Sequence, residues 1–391
     1  MRTQVGIVGG GPAGLVLGHL LGEAGIEAVV LEARERAYVE KRVRAGVLEQ
    51  GTVDLLVDHG VGERAQREGI VHHGVELRFN GEGHRIGLSE LTGGKTIMIY
   101  PQQDVVKDLI EARQAADWPL LFEARATSVD LDRERPVVCY EHEGAEHQLE
   151  CDFVAGCDGF HGICRGAIPD GVLRVYEREY PFGWLGILAE VAPSSEELIY
   201  CHTERGFALS SLRSPEISRL YLQCAPDEDL GEWPDERIWE ELQTRFALRD
   251  GDWTLHEGPI VDKGVTPMRS FVVEPLRHGR LFLAGDAAHI VPPTGAKGLN
   301  LAVSDVKVLA EGLTAALQRG DETGLDAYSE TCLRRVWRVQ HFSWWMTSML
   351  HRFEGDDDFQ LKLQLSQLAY TVGSRAAATT LAENYVGLET V

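Results

Sequence analysis

The sequence has little positive charge and no long apolar run. Lys and Arg number 38 against 61 Asp and Glu, which gives a formal net charge of −23 at pH 7. Because this surplus of negative charge repels phosphate backbones, we expect no nucleic-acid partner. No run reaches the ~20 apolar residues that a membrane-spanning helix needs, so we expect no membrane association. An anionic substrate would need a local cationic group to bind such a chain.

Cysteine is scarce and its spacing is irregular. The seven cysteines are scattered and include no CxxC pair. This pattern favours neither a metal site nor a disulfide framework, and we expect no metal. Reduced thiols fit a cytoplasmic location. The N-terminus lacks a basic stretch followed by a leader-like apolar core, which favours the same location.

The chain opens with a strand, helix and strand pattern. The 391 residues allow one large domain or two ordinary ones. Gln4 to Val8 and Ala28 to Leu31 are short apolar runs that predict buried strands, and Leu15 to Ala24 has helical periodicity. A glycine-rich turn, residues 9 to 14, joins the first strand to the helix. The beginning of the chain therefore reads as a βαβ unit.

The glycine turn has the spacing of a dinucleotide site. Gly9, Gly11 and Gly14 form a GxGxxG motif between the strand and the helix. Glycines there permit a tight turn and a close approach of a pyrophosphate to the helix N-terminus. Glu32 ends the second strand about 20 residues on, where a carboxylate can bind ribose hydroxyls. The motif alone is weak evidence, and it does not distinguish FAD from NAD.

The remaining chain predicts a sheet-rich insertion and a helical end. Residues 180 to 224 alternate apolar and polar side chains, which favours an antiparallel sheet, and residues 298 to 317 and 325 to 351 have helical periodicity. We therefore predict an α/β fold with a Rossmann-like nucleotide-binding domain, an inserted antiparallel-sheet substrate domain and C-terminal helices. The predicted boundaries are 1–70, 98–178 and 268–320 for the first, 71–97 and 179–267 for the second, and 321–391 for the helical region.

Two later motifs lead to a family resemblance. Gly285-Asp286 ends an apolar strand, and Cys157-Asp158-Gly159 follows another. With the N-terminal fingerprint, they resemble the FAD-dependent aromatic hydroxylases that have a single dinucleotide domain. Several blocks are similar to the members that act on 4-hydroxybenzoate, and the similarity covers essentially the whole chain. These blocks are 42–51, 182–186, 292–300, 342–347 and 383–388.

The resemblance implies where the cofactor and the coenzyme would bind. The FAD residues would be Gly9, Gly11, Ala13, Gly14, Glu32, Arg42, Arg44, Ala45, Gly46, Val47, Gln102, Asp158, Arg219, Asp286, Gly295, Leu299 and Asn300. No second GxGxxG exists, which fits NADH or NADPH as a transient donor in a surface groove. Its residues would be Ala33, Arg34, Tyr38, Arg42, Arg44, His161 and Arg269.

The resemblance also implies an activity and a substrate pocket. Reduced flavin would activate O2 as a C4a-hydroperoxide and hydroxylate 4-hydroxybenzoate at C3 to 3,4-dihydroxybenzoate. Ser211, Arg213 and Tyr221 would hold the substrate carboxylate, with the Arg fork as the local cation.

At the other end of the pocket, the phenol would meet Tyr200 and the main-chain carbonyl of Pro293. Its proton would pass to Tyr385 and then to His72, expected to titrate near neutrality. Lys297 would add positive charge nearby. The family also suggests a homodimer.

The sequence leaves alternatives open for the identity of the coenzyme and of the substrate. Ala33 lacks the charge that would hold the 2′-phosphate of NADPH, and Glu35 and Glu40 would repel it. Arg34, Arg36, Tyr38 and Arg42 could still assist a phosphate. We therefore expect NADH, or the use of both coenzymes. Alternative functions are hydroxylation of another substituted benzoate and a non-catalytic binding role on a flavoprotein fold.

Overall fold

A computed structural model describes residues 1–42, 46–251 and 253–388. The strands in these ranges are β1 Arg2–Val8, β2 Ala28–Leu31, β3 Val47–Glu49, β4 Ile70–His72, β5 Gly74–Phe79, β6 Glu82–Gly87, β7 Ile97–Ile99, β8 Leu120–Leu121, β9 Arg125–Asp130, β10 Val137–His142, β11 Ala145–Gly156, β12 Arg174–Ala189, β13 Leu198–Thr203, β14 Gly206–Ser214, β15 Ile217–Cys224, β16 Ile260–Glu274, β17 Arg277–His278, β18 Leu281–Leu283 and β19 His289–Ile290.

Helices of very different lengths connect and cover these strands. They are α1 Pro12–Glu23, α2 Arg36–Lys41, α3 Gln50–Asp58, α4 Glu63–Glu68, α5 Leu88–Leu91, α6 Gln102–Ala115, α7 Asp235–Phe246, α8 Gly298–Arg319, α9 Thr323–Asp326, α10 Tyr328–Leu350, α11 Asp358–Gly373 and α12 Arg375–Val386. Short 3-10 turns include Gly285–Ala287 and Pro293–Gly295. None of the helices described between residues 1 and 388 is long and apolar enough to cross a membrane.

The first sheet is the nucleotide-binding layer. Its main path runs β17-β18-β11-β1-β2-β8, and β1 is parallel to both β2 and β11. β1 and β2 are short apolar runs that are buried along almost their whole length, as expected of parallel strands covered on both faces. α1 packs against α6 and α8 beside this sheet. The large core between these elements fixes the carboxyl ends of β1, β2, β11 and β18 near one another.

The second sheet carries the substrate-domain candidates. Its order is β19-β16-β12-β15-β14-β13-β5-β6. β15 has a strictly alternating burial pattern, because one set of side chains enters a core and the other faces a less enclosed space. A core that includes α7 covers one face, and the helices α10, α11 and α12 pack against the other. A small third sheet has the strand order β3-β7-β4.

The fold class predicted from the sequence is confirmed, with differences in detail. The sheet expected to be antiparallel contains one parallel pair, β5 with β13, because these strands come from separate parts of the chain. The segment from Leu120 to Asp130 contains two strands, β8 and β9, and Glu123 between them has a positive φ of 54°. α7 and the long strand β16 were not predicted. The predicted domain division stays a prediction, and its boundaries at 178/179 and 267/268 fall inside β12 and β16.

Candidate active site

The glycine turn after β1 leaves room for a ligand at one glycine only. Gly9 has a φ of +108°, which favours glycine, and a Cβ at Gly14 would lie 1.9 Å from the carbonyl oxygen of Gly9. A Cβ at Gly11 would meet nothing within 4 Å. Gly9 and Gly14 are therefore required by the turn itself, while Gly11 borders open space. α1 begins at Pro12, and its first turn carries neither a side-chain cap nor an acidic residue. Its free N–H groups can receive a phosphate.

Glu32 lies directly over this turn. Its carboxylate accepts hydrogen bonds from the backbone N–H of Gly10 at 2.7 Å and of Arg34 at 2.8 Å. These two bonds fix the side chain at the end of β2. A carboxylate oxygen has further lone pairs, so Glu32 can still accept from ribose hydroxyls.

The two later motifs converge on the glycine turn. A Cβ at Gly9 would lie 2.3 Å from the carbonyl oxygen of Cys157, and a Cβ at Gly285 would lie 3.5 Å from the Cβ of Ala13. Asp158 accepts from the backbone N–H of Cys164 at 2.9 Å through Oδ2, while its buried Oδ1 has no hydrogen-bond partner in the described structure. The residues of the three predicted motifs therefore lie close together.

A buried ion pair supports the turn that presents Asp286. Asp286 itself is exposed. Asp305 Oδ2, on α8, lies 2.6 Å from His289 Nε2 and accepts from the backbone N–H of Gly285 at 3.0 Å. Burial alone would lower the pKa of His289, but the adjacent Asp305 carboxylate raises it, which favours a charged imidazolium. Sequence reasoning missed Asp305, because no local pattern relates it to the Gly-Asp motif.

The turn before α8 is held by Asn300. Its Oδ1 accepts from the backbone N–H of Glu49 at 2.9 Å and from Thr52 Oγ1 at 2.8 Å, and its Nδ2 donates to the carbonyls of Val47 and Ala296. All of its hydrogen-bonding capacity is therefore used within the protein. In this arrangement, the backbone N–H groups of the first turn of α8 can face a flavin, while the Asn300 side chain ties β3 to α8.

Lys297 belongs to a buried ion cluster. Its Nζ donates to Glu49 Oε1 at 2.6 Å and to the carbonyl of Tyr385 at 2.8 Å. Arg335 donates to the other oxygen of Glu49 at 2.6 Å and to the carbonyl of Leu388 at 3.0 Å. Burial raises the pKa of Glu49, but the two cations lower it further than burial raises it. Two cations around one carboxylate leave a net positive charge beside Tyr385, where the sequence predicted Lys297 to supply it.

The substrate candidates project from one face of the second sheet. Tyr200 on β13 is opposite Leu209 on β14, and Leu209 is opposite Tyr221 on β15. Ser211 is opposite Arg219 in the next row. Because side chains alternate along a strand, these four polar residues share a face. Arg213 lies at a register shift between Leu212 and Ser214, and its side chain reaches the same face through a contact with Tyr221. The sheet register thus brings these five sequence-predicted residues together.

Arg213 and Arg219 are the cations of this face. Buried Nε atoms in both side chains, and Nη1 of Arg219, have no hydrogen-bond partner in the described part of the chain. A Cβ on Gly46 would lie 3.0 Å from Nη1 of Arg213, so the guanidinium borders the segment predicted to hold FAD. Burial lowers the pKa of Arg213, and a side-chain contact with Tyr221 partly offsets this effect. An incoming carboxylate would satisfy these donors.

The two tyrosines predicted to relay a proton are in direct contact. The hydroxyl groups of Tyr200 and Tyr385 form a short hydrogen bond, and both side chains are buried. Burial raises the pKa of both hydroxyls, so both are protonated near neutral pH. Each hydroxyl can donate and accept, as a relay requires.

His72 differs from its prediction. Its side chain is fully buried, and neither ring nitrogen has a hydrogen-bond partner among the described residues. Burial lowers the pKa of His72 to about 4, so the expectation that it titrates near neutrality is wrong for this structure. A direct bond from His72 to Tyr385 is likewise absent from the described contacts. Desolvation of the imidazolium is the physical reason, and no local sequence pattern around His72 indicates such deep burial.

The coenzyme candidates lie in two clusters on the surface. Arg34 lies over the Tyr38 ring at 5.4 Å, and beside them is a groove of about 900 Å³. In the second cluster, His161 contacts the Phe160 ring at 5.0 Å, and Arg269 lies over the same ring at 4.8 Å. Arg269 also lies 3.3 Å from Glu177 and 3.6 Å from Glu179, which a coenzyme phosphate would have to displace.

Other predicted residues occupy fitting positions or fall outside the described ranges. Arg44 and Ala45 lie outside the described residues. Arg42 is exposed at the end of α2, Val47 begins β3, Gln102 begins α6, and Leu299 is buried in the first turn of α8. Gly295 and Pro293 belong to the 3-10 turn before α8. No cluster of residues that could hold a metal ion occurs in the ranges that the structure describes.

Comparisons with known proteins agree with this arrangement. A family model described as an FAD binding domain matches residues 2–343. The chain is 50% identical over 388 residues to p-hydroxybenzoate hydroxylase of Acinetobacter baylyi, which covers 99% of this chain and 96% of that protein. The fold is similar to p-nitrophenol 4-monooxygenase from Pseudomonas putida DLL-E4, with a TM-score of 0.86, 21% identity and 99% of each chain covered. The Diels-Alderase PyrE3 also shares the fold, with a TM-score of 0.78, 22% identity, and 99% of this chain and 81% of that one covered.

Proposed function

The chain belongs to the FAD-binding aromatic monooxygenases, and from this membership we propose that it hydroxylates 4-hydroxybenzoate at C3 to give 3,4-dihydroxybenzoate. NADH or NADPH would supply the electrons and O2 the oxygen atom. The named substrate is that of the relative with 50% identity over 99% of this chain.

The residues around the glycine turn fit FAD. The open space at Gly11, the uncapped N-terminus of α1 and the unpartnered Oδ1 of Asp158 all suit a polar ligand that extends from this turn. Gly9, Gly11, Gly14 and Glu32 would hold its dinucleotide part, and Asp286 its ribityl chain. When bound and reduced, FAD supplies the activation of O2. The protein has to bind the aromatic acid beside it, exclude water and remove one proton.

One observation supports the substrate most directly. Arg213, with a buried unpartnered Nε, shares a sheet face with the Tyr200–Tyr385 hydroxyl pair. Arg213 is four residues along β14 from Leu209, the partner of Tyr200, which is about 13 Å in an extended strand. A rigid molecule with a carboxylate at one end and a hydroxyl at the other satisfies both groups. Ser211 and Tyr221 would complete the carboxylate site.

The chemistry requires deprotonation of the phenol. A phenolate carries more electron density at its ortho carbon than a phenol does, so it is the better nucleophile. Tyr200 would exchange a hydrogen bond with the substrate oxygen and pass a proton to Tyr385. His72, as a neutral imidazole, would pass a proton onward rather than store it. The net positive charge of the Lys297 and Arg335 cluster around Glu49 would favour the phenolate.

The coenzyme, the assembly and the location belong to the same proposal. We propose that NADH is used, alone or beside NADPH, because five glutamates line the groove next to Arg34: Glu35, Glu123, Glu141, Glu143 and Glu146. A homodimer is supported by exposed apolar side chains on α10 and α11, namely Trp337, Trp344, Phe359, Leu363 and Tyr370. A cytoplasmic location is supported by the seven cysteines, all of which are free thiols.

A product assay tests the proposed activity. The holoenzyme with NADH, O2 and 4-hydroxybenzoate should form 3,4-dihydroxybenzoate, identified by chromatography against a standard. Coenzyme oxidation should be slow without the aromatic acid. Parallel reactions contain 3-hydroxybenzoate or 4-aminobenzoate in its place. Faster product formation from either compound than from 4-hydroxybenzoate would reject the proposed substrate and favour a related hydroxylase.

A further inference from the structure

We infer that His351 positions the carboxylate end of the substrate pocket by holding the Trp184 indole against Tyr221. This inference rests on the proposed function in that Tyr221 is taken to contact the substrate carboxylate. His351 itself follows α10 and acts through Trp184, so it is a positioning residue. Neither His351 nor Trp184 was among the residues that the sequence predicted for the site.

The hydrogen bonds of His351 allow one arrangement of its ring protons. Trp184 Nε1 can only donate, and it lies 2.7 Å from His351 Nε2, which must therefore accept. His351 Nδ1 lies 3.0 Å from the carbonyl oxygen of Thr347, so Nδ1 carries the hydrogen and donates. Both nitrogens are thus engaged in one tautomer. Burial lowers the pKa of His351 to about 3, so the ring stays neutral and keeps this arrangement at working pH.

Aromatic packing carries this constraint to the pocket. The His351 ring stacks with Phe207 at 4.3 Å and with Phe182 at 4.7 Å between ring centroids. The Trp184 ring lies 4.8 Å from the Tyr221 ring, inclined by 49°. Tyr221 is opposite Gly186 on the neighbouring strand, which offers no side chain to hold it. Trp184 therefore supports the Tyr221 ring together with Leu209 on β14 and the Arg219 guanidinium, which lies 5.3 Å from that ring. His351 fixes the rotation of Trp184.

The same helical turn also reaches the phenol end. Thr347 Oγ1 donates its hydrogen to the carbonyl of Ser343 at 2.7 Å. Thr294 Oγ1 lies 2.9 Å from Thr347 Oγ1 and must donate to it, because the Thr347 hydrogen is already used. Thr294 follows Pro293, whose carbonyl is proposed to lie near the phenol. The last turn of α10 and the His351 cap, from Thr347 to His351, thus contact residues that support both ends of the pocket.

Substitutions at His351 separate its hydrogen bond from its bulk. His351→Phe keeps an aromatic ring but leaves the Trp184 N–H buried without an acceptor. His351→Gln can offer an amide oxygen where Nε2 lies. Trp184→Phe removes the donor and keeps a ring against Tyr221. His341→Phe, at an exposed position of the same helix, is the matched control.

The test measures 4-hydroxybenzoate affinity by titration of the FAD-loaded proteins, with kcat and KM measured alongside. We expect Kd and KM to rise roughly tenfold in His351→Phe, with a smaller change in kcat, since a buried donor loses its partner. His351→Gln should recover most of the affinity. The His351→Phe and Trp184→Phe double variant should lose no more affinity than the single variants, because both remove the same bond. The control should match the wild type.

Defined results would overturn the inference. Wild-type affinity in both His351→Phe and Trp184→Phe would show that the bond does not position the pocket. An equal loss of affinity in His351→Gln and His351→Phe would attribute the effect to packing alone and reject a role for the hydrogen bond. If the wild type itself failed to bind 4-hydroxybenzoate, the proposed function would fail. The wild type tests the proposed function and the variants test the role of His351, so a failure of one can be distinguished from a failure of the other.

Discussion

The hydroxyl group of Tyr385 offers the most direct test of the proposed proton path. Tyr385→Phe removes the hydroxyl group that hydrogen-bonds to Tyr200 and leaves the buried aromatic ring in place. We expect FAD and substrate binding to remain, while the rate of 3,4-dihydroxybenzoate formation falls by about a hundredfold, within the usual range for a lost acid–base group. Tyr140→Phe, at a buried tyrosine on β10 of the first sheet, is the control. Normal hydroxylation in both Tyr200→Phe and Tyr385→Phe would reject the relay.

His72 makes a prediction about stability and pH. Its folded pKa of about 4 lies below the ordinary value of 6.5, so between these values the unfolded chain binds more protons than the folded one. The contribution of His72 to stability therefore falls as pH decreases from about 6.5 towards 4. The stability gap is the free energy of unfolding of the wild type minus that of His72→Gln. This gap should become smaller by on the order of 2 kcal/mol when the pH is lowered from 7 to 5. Urea denaturation at both pH values measures the gap, with His341→Gln as the exposed control. A gap that does not change with pH would contradict the lowered pKa.

Residues could be predicted from the sequence where their neighbours in space are also neighbours in the chain. Gly9, Gly11 and Gly14 follow from local turn geometry. Glu49 was not predicted as the partner of Lys297, because the two are 248 positions apart. The burial of His72 was also hidden, since it depends on the packing of β4 against elements from elsewhere in the chain. The roles of Tyr200 and Tyr385 came only from the family resemblance.

The turn between β1 and α1 offers a matched pair of glycine substitutions. A Cβ at Gly14 would collide with the carbonyl oxygen of Gly9, whereas a Cβ at Gly11 would enter open space. We expect Gly14→Ala to lower the stability of the apoprotein. Gly11→Ala should fold normally and bind FAD at least about tenfold more weakly, because its methyl group occupies the path of the pyrophosphate. Thermal unfolding without FAD and FAD titration measure the two effects. Unchanged FAD affinity in Gly11→Ala would place the cofactor elsewhere.

The elements predicted from the sequence were those with strong local signals. α8 follows clear apolar periodicity, and its observed bounds lie within two residues of the predicted ones. α7 and β16 were missed, because α7 is strongly charged and β16 is only partly buried, without a regular alternation of buried and exposed residues. The parallel pairing of β5 with β13 is a long-range contact. No turn or spacing in the sequence specifies it.

The whole molecule presents a cationic pocket within an anionic protein. The net charge of −23 repels anions at long range, yet the proposed substrate and the coenzyme are both anions. Arg213, Arg219 and the Lys297–Arg335 pair lie on different elements that converge on one sheet face and on the start of α8. The folded chain therefore presents local positive charge where these elements meet, against its negative global charge.

The same balance of charge predicts the choice of coenzyme. NADPH differs from NADH by a 2′-phosphate, which adds about two negative charges near neutral pH. Arg36 is already paired with Glu40 at 2.5 Å, and Glu35 lines the groove next to Arg34. We expect kcat/KM with NADH to equal or exceed that with NADPH. Glu35→Gln should raise the value for NADPH more than the value for NADH, and Glu63→Gln, at an exposed position on α4, is the control. A strong preference of the wild type for NADPH would show that Arg34 and Arg42 outweigh the glutamates of the groove.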